Sequence, residues 1–544
     1  MAEDNASGRS TFGTDQMIDP ASRPEFDSAP SASRSPLGRE VSMATATRIW
    51  RIVLLFAVLS VGILQQRVDT YQAFQRDRYL VALVLSFLVA VVVWAAFRFL
   101  LRLGRFKSIA ATAVFMLVFF RWHLLLNLSS ELGLGGIAAD LFVVAIAATT
   151  ATVLLSRSRH LLVVGAAAFL AVGGFLIAIS PYVLWLFIDA APMEVVQIAP
   201  DVVTEGDVAV ILLDAYLRED QLLALMDFDN SQFRQELEQR GFLVDTDAQS
   251  NYNLTYGSTS SMMALDHPID AGEISVEEHQ LVRYLLGGNG PFFQSYRDAG
   301  FEVTSHVNAW RGSRCSSAID HCIREGIVAS TAYYIAEITP FASVVKAMFV
   351  EPLASGGMQQ LTTIGDSVNE AFDRDTPQIA WEHISLPHPP VHYDSECVLH
   401  NDAWRTGMLL SDGSEQHRPR VVAYTEQIEC VNVLVLEQID AIISAHPEST
   451  ILLVSDHGPR SQAVEPEQTT WTDRQLAEYF SIITAIRSPQ DCDAVLDGVT
   501  IVNAFRRFVG CTLDVELEDT DNGQFLLPDL GSPKRAFDVT RAGQ

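Results

Sequence analysis

Two patterns of apolar residues divide the chain. Up to about residue 190 they come in long runs: Ile49–Leu64, Tyr79–Leu101, Ile109–Leu128, Gly136–Leu155 and Leu161–Ile188. A spanning helix needs about 20 apolar residues, so the pattern predicts a five-helix transmembrane domain over 47–190, its first run being short. From residue 207 the apolar stretches shorten and alternate with amphipathic ones. Strands are predicted at Asp207–Leu213, Gly241–Val244, Phe301–Ser305, Gln378–Ile384, Ile451–Ser455 and Phe480–Ile486. Helices are predicted at Ser231–Arg240, Pro291–Ala299 and Val421–Ser444. Alternation of this kind predicts an α/β domain with a mainly parallel sheet over 207–513.

The flanks lack either period. Residues 1–46, rich in Ser, Ala, Pro, Asp and Arg, read as a disordered tail. Residues 191–206 form a linker, and 514–544 a polar C-terminal segment, read as a loose tail. Loop charges orient the spans: Arg102, Arg105 and Lys107 precede the third run, and Arg157 and Arg159 precede the fifth. The positive-inside rule places these loops and the N-terminus in the cytoplasm. Five crossings then put the α/β domain outside, and the chain reads as a multi-pass protein of the cell (inner or plasma) membrane.

Charge and cysteine agree with that division. The first 194 residues carry 16 Lys/Arg and 13 Asp/Glu, against 21 and 53 in the remainder. The overall charge of −29 argues against nucleic acid as a partner. All six cysteines fall in the second part, which suits disulfides in an oxidising compartment. Pairing of sequence neighbours gives Cys315–Cys322, Cys397–Cys430 and Cys492–Cys511, one of fifteen connectivities. Six buried free thiols are the other reading.

Polar residues cluster at predicted strand ends. Asp214 closes V-I-L-L-D-A-Y, Asp456 and His457 close I-L-L-V-S-D-H-G, and His388 follows a strand in H-I-S-L-P-H-P-P. Ligands of parallel α/β sheets bind beyond the carboxyl ends of the strands. Carboxylates and imidazole together suit one divalent metal, Zn2+ or Mn2+. Taken singly, Asp214 reads equally well as a helix cap, Asp456–Gly458 as a turn, and His388 as a solvated loop residue. His383, inside an apolar strand, reads as a core histidine.

Together these motifs resemble the sulfatase-like branch of the alkaline phosphatase superfamily, above all its membrane-anchored members, the lipoteichoic acid synthases and lipid A phosphoethanolamine transferases. The resemblance covers about 207–490 and the order of five spans before an exported domain. It implies an alkaline phosphatase/sulfatase-like fold. It also implies a nucleophile in Ser250-Asn251-Tyr252-Asn253-Leu254-Thr255-Tyr256-Gly257-Ser258, with Thr255 at the nucleophile position and Ser258, then Thr259, as fallbacks. By the same resemblance the metal set is Asp214, Thr255, Asp456 and His457, while His388, Arg460 and Ser258 bind substrate.

The implied activity is transfer of a phosphoryl-linked headgroup from a lipid donor to an envelope acceptor through phospho-threonine. A phosphodiesterase, another hydrolase of this fold, or a non-catalytic binding protein are the alternatives, and lipid or glycan the substrate class. The chain lacks the C-x-P-x-R or S-x-P-x-R motif of sulfatases at the matching place, so sulfate-ester hydrolysis is disfavoured. It carries Asp where the transferases carry Glu, and 458–471 hold no further histidine, so one metal is expected.

Overall fold

The computed structural model describes residues 206–307, 315–324, 342–389, 391–400, 417–460, 470–490, 492–496, 500–528 and 534–540, with a few positions between 88 and 112. The tail, the linker and nearly all of the expected five-span region lie outside the described residues. Among the described residues no helix is long and apolar enough to cross a membrane.

Among the described residues ten strands form two sheets. They are β1 (Val208–Asp214), β2 (Leu243–Val244), β3 (Gly272–Glu273), β4 (Glu302–Val307), β5 (His321–Arg324), β6 (Gln378–Pro387), β7 (Thr450–Ser455), β8 (Thr484–Arg487), β9 (Phe525–Leu526) and β10 (Arg535–Asp538). The α-helices among the described residues of this domain are α1 (Glu219–Met226), α2 (Ser231–Gln239), α3 (Thr255–Ala264), α4 (Val276–Tyr284), α5 (Pro291–Asp298), α6 (Ala342–Phe372), α7 (His417–Ala445), α8 (Asp473–Phe480) and α9 (Ile501–Leu513). The large sheet runs β2-β8-β7-β1-β6-β4-β5. Its five central and distal strands are parallel, whereas β8 and β2 pair antiparallel at one edge. The expected α/β domain with a mainly parallel sheet is therefore present.

Burial explains the strand sequences. Every residue of β1 is buried, as a central parallel strand requires, and so it reads as one apolar run. Its residues alternate between two cores. Ala209, Ile211 and Leu213 meet Leu361, Ile364 and Val368 of α6 and Ala423, Ile428 and Ile439 of α7. Val208, Val210 and Leu212 meet Met262 of α3, Phe292 of α5 and Phe505 of α9.

Two expectations need correction. The strand expected over Phe480–Ile486 begins only at Thr484, because Phe480 still belongs to α8, and it runs antiparallel to β7. The C-terminal segment is no loose tail: β9 and β10 join β3 in a small three-stranded sheet. Its few apolar residues suffice because Leu526, Leu527 and Ala536 are all buried. The cysteines pair as sequence neighbours: Cys315–Cys322, Cys397–Cys430 and Cys492–Cys511.

Candidate metal centre and nucleophile

Three strand ends deliver the polar groups. β1 ends on Asp214, β7 leads into Asp456 and His457, and β6 carries His383 and leads into His388. His383 pairs in regular register with Leu212, two residues before Asp214 on the neighbouring strand, while Asp214 itself pairs with Pro387 across a bulge that lies beyond Ile384. Alternate residues of a strand share a face, so Leu212, Asp214 and His383 lie on one side of the sheet. The ligand atoms of Asp214, His383 and Asp456 lie within 4.8 Å of one another, and so do those of Asp214, His388 and His457. His383, expected in the core, therefore belongs to the polar group. His388, expected to bind substrate, stands among the candidate ligands.

Thr255 completes the cluster. It is the first residue of α3 and is 6% exposed. Its Oγ1 lies 3.1 Å from His457 Nε2, which in turn lies 3.5 Å from Asp456 Oδ2 and 3.7 Å from Asp214 Oδ1. His457 Nδ1 is 2.7 Å from the Gly458 carbonyl. That contact needs a proton on Nδ1, so Nε2 keeps its lone pair for the cluster. His388 is held likewise, with Nδ1 donating to the Pro389 carbonyl.

The local sequence explains each placement. Asp456 Oδ1 accepts from the backbone of Ala215 at 3.0 Å and of His457 at 2.8 Å, which locks the β1 and β7 ends together. Gly458 donates to Tyr479 O at 3.0 Å, and a Cβ there would stand 1.7 Å from Glu478 O. The D-H-G turn needs glycine for that close approach. In the S-N-Y-N-L-T-Y-G-S segment, Ser250 and Ser258 both donate to the Tyr252 carbonyl at 2.8 Å. Ser258 is fully buried, so it braces the loop and is not turned to a substrate as expected.

Asn251 donates to Thr500 Oγ1 and the Gly523 carbonyl and accepts from Val502 N. Asn253 bonds both backbone groups of Leu527. The C-terminal segment thus anchors the loop that presents Thr255.

Electrostatics calls for a cation here. Burial, then the Asp456 charge, pushes the Asp214 carboxyl well above the usual range, against the pull of Arg460 and Thr255. Burial raises Asp456 too, opposed first by His383. Burial lowers His383 and His388 to about 4 and His457 to about 3. The imidazoles are thus neutral near pH 7. Arg460 comes down to about 10 through burial and stays charged, its Nη1 donating to the Asn253 carbonyl at 3.3 Å. Two carboxylates therefore face one guanidinium, and Asp214 Oδ1 and Asp456 Oδ2 are buried without a hydrogen-bond partner. Orphaned carboxylate oxygens among neutral imidazoles form a donor set that suits a divalent cation.

No protein-family model matches the chain, and a comparison with curated proteins finds no match. Solved structures do. The chain is similar to the C-terminal periplasmic domain of EcEptC from Escherichia coli, at 9% identity and a TM-score of 0.38, over 62% of this chain and 93% of that one. A zinc complex of that domain matches at a TM-score of 0.39 and 9% identity, over 62% and 95%. The integral membrane protein lipooligosaccharide phosphoethanolamine transferase A from Neisseria meningitidis matches at 15% identity and a TM-score of 0.34, over 86% of this chain and 95% of that one.

Proposed function

We propose that the chain is a metal-dependent enzyme that transfers a phosphoryl-linked headgroup from a membrane lipid to an acceptor in the cell envelope, with Thr255 as nucleophile. The observation that carries this reading is the convergence of Thr255 with Asp214, His383, His388, Asp456 and His457 in one buried cluster. Among these, Asp214, Asp456, His457, His383 and His388 are the residues to hold one divalent cation. When bound, the cation supplies Lewis acidity toward hydroxyl and phosphoryl oxygens.

In the first half-reaction the Thr255 oxygen attacks phosphorus in line. The bond from phosphorus to the donor alcohol breaks, and the proton from Thr255 leaves with that alcohol. In the second, an acceptor hydroxyl attacks phosphorus, the Thr255–phosphorus bond breaks, and Thr255 regains a proton. Arg460, charged and beside the carboxylates, opposes the negative charge of the phosphoryl oxygens. The N-terminus of α3 directs its positive end at the same place.

Three disulfides support an extracytoplasmic, oxidising setting. The expected five spans place the site beside a lipid donor, which raises the donor's effective concentration.

The test is a search for the adduct. The full chain in detergent is incubated with bacterial lipid extract and digested, and the Thr255 peptide is weighed by mass spectrometry. A phosphoryl-linked mass increase at Thr255, absent from Thr255→Ala, is expected. An unchanged peptide together with a fully active Thr255→Ala overturns the reading.

A further inference from the structure

A small cavity of about 20 Å3 adjoins His383. Strands β4 and β6 line it with Ser305, Val307, Trp381 and His383, and α3 with Thr259 and Met263. Element geometry puts these residues together. Alternate residues of a strand share a face, as do helical residues four apart, so Thr259 and Met263 continue the side of α3 that begins at Thr255. A space of this size holds about one water and nothing larger.

Thr259 needs such a water. It is 6% exposed, and its Oγ1 is buried without a hydrogen-bond partner. A hydroxyl left in that state costs about 1–3 kcal/mol. Helical Ser and Thr usually satisfy the hydroxyl on a carbonyl one turn back, as Ser260 does on Tyr256 O at 2.8 Å. Thr259 forgoes that bond, and it lines the cavity instead. His383 is at once a wall of this cavity and a member of the Asp214–His383–Asp456 ligand group.

We propose that one buried water links Thr259 Oγ1 to the imidazole of His383. Thr259 is then a positioning residue. Through the water it steadies the orientation in which the imidazole meets the cation, the role that outer hydrogen bonds play for metal-binding histidines. This rests on the reading of the cluster as a metal site.

The test measures Zn2+ affinity of the full chain in detergent by competition with a chromophoric chelator. Thr259→Val removes the hydroxyl at constant volume and is expected to weaken Zn2+ binding about 10–100-fold. Thr259→Ser keeps the hydroxyl and is expected to bind nearly as the native chain does. Metal-free melting temperatures, expected to agree among the variants, separate this effect from folding. Thr259→Ala, which cannot overpack, is the second hydroxyl-free variant and is expected to behave as Thr259→Val. Native Zn2+ affinity in either folded hydroxyl-free variant overturns the proposal while leaving the metal reading intact. A native chain that binds no Zn2+ overturns the metal reading, and this inference with it.

Discussion

The hydroxyl of Thr255 and Nε2 of His457 stand 3.1 Å apart across a sequence separation of 202 residues. The same nitrogen is 3.7 Å from Asp214 and 3.5 Å from Asp456. The proposed nucleophile and the candidate ligands therefore occupy one small volume, and the consequences are separable.

Removing the hydroxyl should remove the chemistry and spare the fold. Thr255→Val is expected to lower turnover of bis(p-nitrophenyl) phosphate by about 10³-fold or more, the scale seen when a covalent nucleophile is lost. Thr255→Ser should retain much of the activity. Native turnover by Thr255→Val would show that another group attacks phosphorus.

The carboxylates should answer to metal. Asp456→Asn keeps the side-chain shape and one acceptor for Ala215 and His457 but drops the charge. The native chain should hold about one Zn2+ or Mn2+ by elemental analysis, and the variant should bind it at least about 100-fold more weakly. Equal metal content in both proteins would sink this assignment.

A histidine outside the metal group offers a pH test. Burial lowers His392 to about 4. Between that value and the ordinary 6.5 the unfolded chain binds a proton that the folded chain refuses, so stability is full above about pH 6.5 and is lost as pH falls toward 4. In the metal-free chain, His392→Gln should reduce the stability lost between pH 7 and pH 4.5 by on the order of 2 kcal/mol. Urea midpoints at the two pH values measure it, and an undiminished loss contradicts the assignment.

The C-terminal clamp should matter to catalysis at a distance. Asn251→Ala deletes side-chain bonds to Thr500, Val502 and Gly523 and leaves the backbone groups of Val502 and Gly523 without their Asn251 partner. A loss of about 1–3 kcal/mol of stability is expected, with lower kcat because Thr255 is less firmly presented. A variant as stable and active as the native chain would separate the loop from the clamp.

Much of the domain was legible because its strands are buried on both faces. The runs at Val208–Asp214, Gln378–Pro387 and Thr450–Ser455 announce themselves by hydrophobicity alone, and the polar residues at their ends are then conspicuous. Helix α3 escaped notice for the opposite reason. Thr255–Ala264 is buried throughout, yet four of its interior residues, Ser258, Thr259, Ser260 and Ser261, are hydroxylic, and the three serines return their hydroxyls to backbone carbonyls. Buried hydroxyls disguise a core helix as a polar turn. The two short strands β9 and β10 were hidden because they form only through pairing with each other and with β3.

The amino-acid order by itself determined the α/β alternation, the acidic character of the second part and the candidates Asp214, His388, Asp456 and His457, since periodicity and strand-end chemistry are local properties of a chain; Thr255 came only from the resemblance of its segment to a known family. Only the tertiary structure decided that His383 stands with the ligands, that Ser258 braces a carbonyl, and that the cysteines pair as neighbours. Those outcomes depend on how distant strands pair and on which distant groups share a buried volume, and neither is written in any single stretch of residues.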